Sequence, residues 1–83
     1  MLIRVRVLYF GQAREAAGKD EEEVCVSDTS SVRDLVERSS KAHQKFESLS
    51  RILRVAVNEE VARYGDRLRD GDVVAFLPPV AGG

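Results

Sequence analysis

Only one stretch of this 83-residue chain spaces its apolar residues as a full α-helix would. From Ser31 to about Ala42, Val32, Leu35 and Val36 recur on one side, while Arg33, Glu37 and Arg38 fall on the other. Ser31 is placed to cap the helix, and Asp34, at the third helical position, approximates a capping box, although Asp is a weaker partner there than Glu. A lone amphipathic helix has one stripe to bury. It therefore covers one face of a sheet and leaves the other toward solvent or a partner.

The rest of the chain reads mainly as strands. From Leu2 to Phe10, Ile3, Val5, Val7 and Tyr9 share one face, which should be the core face. Leu2, Arg4, Arg6, Leu8 and Phe10 share the other. Gly11 breaks the strand, and Gln12 to Ala17 is a short helical run stopped by Gly18. A charged turn at Lys19–Glu22 leads to a second strand, roughly Glu23–Val26, hairpinned with the first. Phe46 and Leu49 can pin a further helical turn between His43 and Ser50. Ile52–Val57 is a third strand, followed through Asn58-Glu59-Glu60 by a short extended piece at Val61–Arg63. Gly65–Leu68 reads as a turn or a single helical turn. Asp70-Gly71-Asp72 is a turn signal before the last strand, Val73–Leu77.

This order specifies an α+β chain of one domain, residues 1–83, with four to five strands in a mixed sheet on one main helix. That is the β-grasp, or ubiquitin-like, architecture. A ferredoxin-like alternative would need a second full helix. Length and composition agree with a single modest core: 43% of residues are hydrophobic and 33% charged. Thirteen basic against fourteen acidic residues, scattered along the chain, argue against nucleic acid as a partner. A single cysteine, Cys25, excludes an internal disulfide and a cysteine metal cage. No run approaches a membrane span and the start lacks the build of a secretory signal, so a cytoplasmic location is expected.

The ending carries the chemistry. The last strand runs into Pro78-Pro79, which offer no N–H to continue a ladder, and then Val80-Ala81-Gly82-Gly83. A terminal Gly-Gly occurs by chance in roughly one chain in 200, so a frayed end remains the bland reading. Glycines, lacking Cβ atoms, also thread narrow channels, and six residues from Pro78 span about 20 Å fully extended. Such a tail can deliver its terminal carboxylate into another protein's active site. A carboxylate with a pKa near ~3.5 is an anion and a poor electrophile at neutral pH. Activated as an acyl-adenylate, it can be attacked by a sulfur nucleophile to give a thiocarboxylate.

Phe76-Leu77-Pro78-Pro79-Val80-Ala81-Gly82-Gly83 resembles the ending of the small subunits of molybdopterin synthase, in the MoaD/ThiS-type ubiquitin-like family. Val7-Leu8-Tyr9-Phe10-Gly11-Gln12-Ala13-Arg14-Glu15 is similar to that family's first strand and short helix. Ser31-Val32 with Leu35, Val55-Ala56-Val57-Asn58, and Asp70 to Phe76 extend the resemblance over nearly the whole chain. The resemblance implies a sulfur carrier and co-substrate, not an enzyme alone. Gly83 would be adenylated at the expense of ATP by an activating enzyme of the MoeB type, then thiocarboxylated. The tail (Pro78, Pro79, Val80, Ala81, Gly82) would enter the MoaE-type large subunit, which holds the catalytic side chains. Two sulfurs delivered in turn would make the molybdopterin dithiolene from cyclic pyranopterin monophosphate, in a heterotetramer. No bound cofactor or metal is implied, and partner contacts fall on Phe10, Arg14, Val61 and Leu77.

Alternation points independently to the same surface. If Arg4 and Arg6 face water, so do Leu8 and Phe10; if Phe76 faces the core, Leu77 does not. An exposed apolar group of this kind marks a partner site, unless the short helix Gln12–Ala17 covers Leu8 and Phe10. Other features are read as structural. Cys25 is a small apolar strand residue and not a persulfide carrier. His43 is a lone surface residue, Asp20–Glu23 a solvated acidic turn, and Gly11–Gly18 lacks the ending of a phosphate loop. Glu59, Glu60, Asp66, Asp70 and Asp72 show no acid–base pairing. Rival readings keep the carrier chemistry for thiamin, cysteine or tRNA thiolation, make the chain a ubiquitin-like modifier, or reduce it to a β-grasp binding module.

Overall fold

Alternation decides the first strand. In the computed structural model, which describes residues 1–79, β1 (Leu2–Tyr9) buries Ile3, Val5, Val7 and Tyr9 and turns Leu2, Arg4 and Arg6 outward. α1 (Gly11–Ala17) follows, stopped by Gly18 in the left-handed conformation. β2 (Glu21–Ser27) returns antiparallel to β1, in register from Leu2 opposite Ser27 to Leu8 opposite Glu21. After α2 (Val32–Ala42) and a 3-10 turn at Gln44–Phe46 come β3 (Arg54–Val57), β4 (Glu60–Val61) and β5 (Val73–Leu77).

The sheet order is β2-β1-β5-β3-β4. β5 lies parallel to β1 and antiparallel to β3, so the sheet is mixed. α2 brings Val32, Leu35 and Val36 into the cluster formed by Val5, Val7, Val24, Val55, Val74 and Phe76 from the sheet. The architecture is the expected β-grasp, with five strands. The second helix, α1, has only seven residues, so the ferredoxin-like alternative lacks its element. Phe46 plugs the core, 5.3 Å from the Phe76 ring and 6.2 Å from Tyr9, centroid to centroid.

The start of α2 shows how the elements are tied. The Ser31 hydroxyl accepts from the Asp34 N–H at 3.3 Å, and the Asp34 carboxylate accepts from the Ser31 N–H at 2.9 Å, a complete capping box. The Val32 and Arg33 N–H groups donate to the Asp66 and Tyr64 carbonyls, both at 2.9 Å. The loop before β5 thus finishes the helix end that side chains alone leave open.

Three boundaries differ from the sequence reading. β3 starts at Arg54 and not Ile52, because local turns tie up the preceding backbone, as in the Ile52 N–H donating to the Leu49 carbonyl at 3.0 Å. The supposed acidic turn is strand from Glu21 onward, since Glu21 and Glu23 point to solvent and lose nothing by pairing. β4 is Glu60–Val61 and not Val61–Arg63, because the turn needs only Asn58-Glu59, both at positive φ, 52° and 71°, the two-residue hairpin geometry usually given to Asn-Gly.

Candidate functional site

The sheet face away from α2 is organised in rows by its register. Leu8 lies opposite Ala75, Ala75 opposite Ala56, and Ala56 opposite Val61, so one outward row crosses four strands on apolar side chains alone. One step toward the end of β5, Leu77 lies opposite Arg54. Phe10 sits just past the Tyr9–Phe76 pair, beside Leu77. Phe10 is 47% exposed, Leu77 36% and Val61 80%. α1 does not hide Phe10; it spends Ala13 and Ala17 on the core instead. The opposite half of the face is a charged ladder, with Arg6–Glu21 at 3.3 Å and Arg4–Glu23 at 3.6 Å. The apolar half is the docking-type patch, and it lies at the end from which the tail leaves.

Of the residues expected at a partner site, Phe10 and Leu77 are neighbours on this face, and Val61 shares it at the β4 edge, two strands from Leu77. Arg14 stands on α1 at its rim, 3.5 Å from the Asp20 carboxylate. Pro78 is half-buried and Pro79 exposed. Gly11, at φ +52°, lies beneath the exit; a Cβ there would sit 3.8 Å from Pro78 Cγ. Val80, Ala81, Gly82 and Gly83 fall outside the described residues. The sequence reading missed Ala56, Ala75 and Arg54, because no single-strand pattern reveals cross-strand register.

A second polar cluster sits at the α1 end of β2. The Tyr9 hydroxyl donates to Glu22 Oε2 at 2.6 Å, His43 Nε2 lies 3.7 Å from the same oxygen, and Lys19 Nζ is 3.7 Å from Oε1. Burial, reinforced by the Glu22 hydrogen bond, pushes the Tyr9 hydroxyl well above its usual range. Burial opposes the charge on Glu22, yet the hydrogen bond from Tyr9 and the nearby Lys19 and His43 outweigh it and hold the carboxyl below the ordinary range. Two expectations are corrected here. His43 is half-buried with its ring edge-to-face on Tyr9, because the 3-10 turn folds it inward. Glu22 is a partly buried anchor and not a solvated turn residue.

Cys25 is likewise corrected: β2 alternation places it on the open face with Glu21 and Glu23, exposed rather than packed. Asp72 does have partners, but they are structural, accepting from Asn58 Nδ2 at 2.9 Å and the Arg69 N–H at 2.8 Å. Among the described residues no three His, Cys, Asp or Glu side chains gather as metal ligands, and no helix is long and apolar enough to cross a membrane.

Comparison with known proteins places this geometry. The ThiS family model matches residues 7–83. The chain is 40% identical to the molybdopterin synthase sulfur carrier subunit of Mycobacterium tuberculosis, over 99% of this chain and all of that one. A putative molybdopterin converting factor subunit 1 from Pyrococcus furiosus superposes with a TM-score of 0.85 at 37% identity, covering 94% of this chain and 99% of that chain. The small archaeal modifier protein 1 of Haloferax volcanii gives a TM-score of 0.83 at 27% identity, with the same coverage of 94% and 99%. Fold and sequence agree, and the chain belongs to the ThiS family of ubiquitin-like proteins, with the molybdopterin synthase sulfur carrier subunits among its relatives.

Proposed function

We propose that this chain is the sulfur carrier subunit of a molybdopterin synthase, and that its chemistry resides at the Gly83 carboxyl. The carrying observation is that the apolar patch of the open face reaches the end of β5 through Phe10 and Leu77, so a protein docked there receives the tail directly. The similarity to sulfur carrier subunits over the full chain supports the assignment of cargo.

The chain's residues divide the work. β5 is held on both sides, by β1 and β3, which fixes where the tail starts. Pro78 and Pro79 end the ladder and stiffen the exit. Gly82 and Gly83 present no side chain to the walls of a partner's channel. Phe10, Leu77 and Val61 dock, with Arg14 at the rim. An activating enzyme joins the Gly83 carboxylate to AMP from ATP, releasing pyrophosphate. A sulfide-level nucleophile attacks the acyl carbon, AMP leaves, and a thiocarboxylate remains. In the large subunit that sulfur bonds to a carbon of the cyclic pyranopterin monophosphate, water then cleaves the acyl–sulfur bond, and the Gly83 carboxylate is regenerated. The acid–base groups for transfer belong to the large subunit; this chain is co-substrate.

Intact mass spectrometry tests this. After incubation with a MoeB-type activating enzyme, ATP and a sulfur source, the chain should gain the mass of one oxygen exchanged for sulfur. Deleting Gly83 should abolish the gain. No gain, with an enzyme active on a known carrier, overturns the reading. The similarity to a small archaeal modifier protein favours a second reading, conjugation to lysines. Isopeptide-linked Gly83 in cell lysate would support it.

A further inference from the structure

The last outward row does not stop at Arg54. The β3–β4 register pairs Ala56 with Val61, and the Ala62 N–H still donates to the Val55 carbonyl at 2.8 Å, so the extended backbone continues past β4. Ala62 packs toward the core. Arg63 is exposed, and the same register continued two residues past the last pair sets it on the outward side near Arg54. The row at the tail exit reads Phe10, Leu77, Arg54, Arg63: two exposed apolar side chains, then two exposed guanidinium groups.

These two arginines differ from the other cations of the face. Arg4, Arg6 and Arg14 each have a carboxylate partner, Glu23, Glu21 and Asp20. Neither Arg54 nor Arg63 forms a side-chain ion pair among the described residues. Like charges directly across a strand pair are unfavourable. Arginine beside an apolar docking patch is also a residue type that interfaces exploit, through forked donors matched to carboxylates.

We propose that Arg54 and Arg63 form a two-arginine clamp for acidic side chains of the protein that docks on the open face, fixing its orientation over the tail exit. The inference rests on the docking reading above. The occupant is a protein because the clamp is continuous with the apolar patch, and its contacting side chains are acidic because neither guanidinium is ion-paired among the described residues, the Asp66 carboxylate accepting from the Arg63 backbone N–H at 3.0 Å instead.

The test measures binding of the full chain to the molybdopterin synthase large subunit from the same cells, at several salt concentrations. Arg54→Glu with Arg63→Glu should weaken binding by about 10- to 100-fold and flatten its salt dependence. Phe10→Ala should weaken binding while leaving the salt slope as in the wild type. Arg63→Glu alone, which sets an acid near Arg54, should weaken binding with a melting temperature equal to or above wild type. Should the double reversal lower the melting temperature, Arg54→Gln with Arg63→Gln replaces it, with the same loss expected. Wild-type affinity and salt slope in the arginine variants, with Phe10→Ala still weakened, overturn the clamp and leave the docking face standing. Failure of the wild-type chain to bind overturns both.

Discussion

Single residues carry local tension that the free chain tolerates. Glu59 holds φ at +71° without being glycine, a conformation that costs an L-residue about 1–2 kcal/mol. Glu59→Gly should therefore stabilise the fold by about 0.5–1 kcal/mol, after the entropic penalty of glycine, seen as a higher urea midpoint. Glu22 acts the other way. Its folded pKa lies below the unfolded value, so its contribution is complete above about pH 4.3 and is lost as pH falls through the folded value. Glu22→Gln should cost about 1 kcal/mol at pH 7, discounted for partial exposure, and the gap to wild type should close at an acid pH below the folded value. Urea titrations at the two pH values check this; an unchanged gap would remove the ionised carboxylate from the account. None of this was legible in advance. Glu22, Glu23 and Glu21 look alike in sequence, and only the Tyr9 hydroxyl and the His43 ring distinguish the middle one.

At the level of elements, the sequence spoke clearly where one strand or helix makes its own case. The alternation of β1, the Ser31–Asp34 box and the span of β5 were all readable, because each is set by local periodicity or a local hydrogen bond. The start of β3 was not readable, since Ile52 and Leu53 are both apolar and only the turns before Arg54 decide which belongs to the core. α2 is a mixed case. Its cap is local, but its first two N–H groups are satisfied by Asp66 and Tyr64 carbonyls some thirty residues on. Ser31→Ala should then cost about 1 kcal/mol, as for other capping residues, without unfolding the helix. Equilibrium denaturation measures it, and a cost near zero would mean that the loop alone holds the helix end.

Across the whole molecule, the core and the proposed docking patch occupy opposite faces of one sheet. Phe10→Ala should lower affinity for the large subunit at least about tenfold while the melting temperature stays within about 2 °C of wild type, because truncating an exposed side chain leaves no core cavity. Binding titrations and thermal melts on one preparation separate the outcomes, and a parallel loss of both would make Phe10 a core residue. By itself the sequence determined most of the element types and the inward-facing residues of β1, α2 and β5, because these depend on neighbours within a few positions. Tertiary structure alone decided that Leu8, Ala75, Ala56 and Val61 form one row, that Arg54 meets Leu77, and that Cys25 is exposed. Those facts depend on register and sheet order, which arise only when distant strands share hydrogen bonds and a common core.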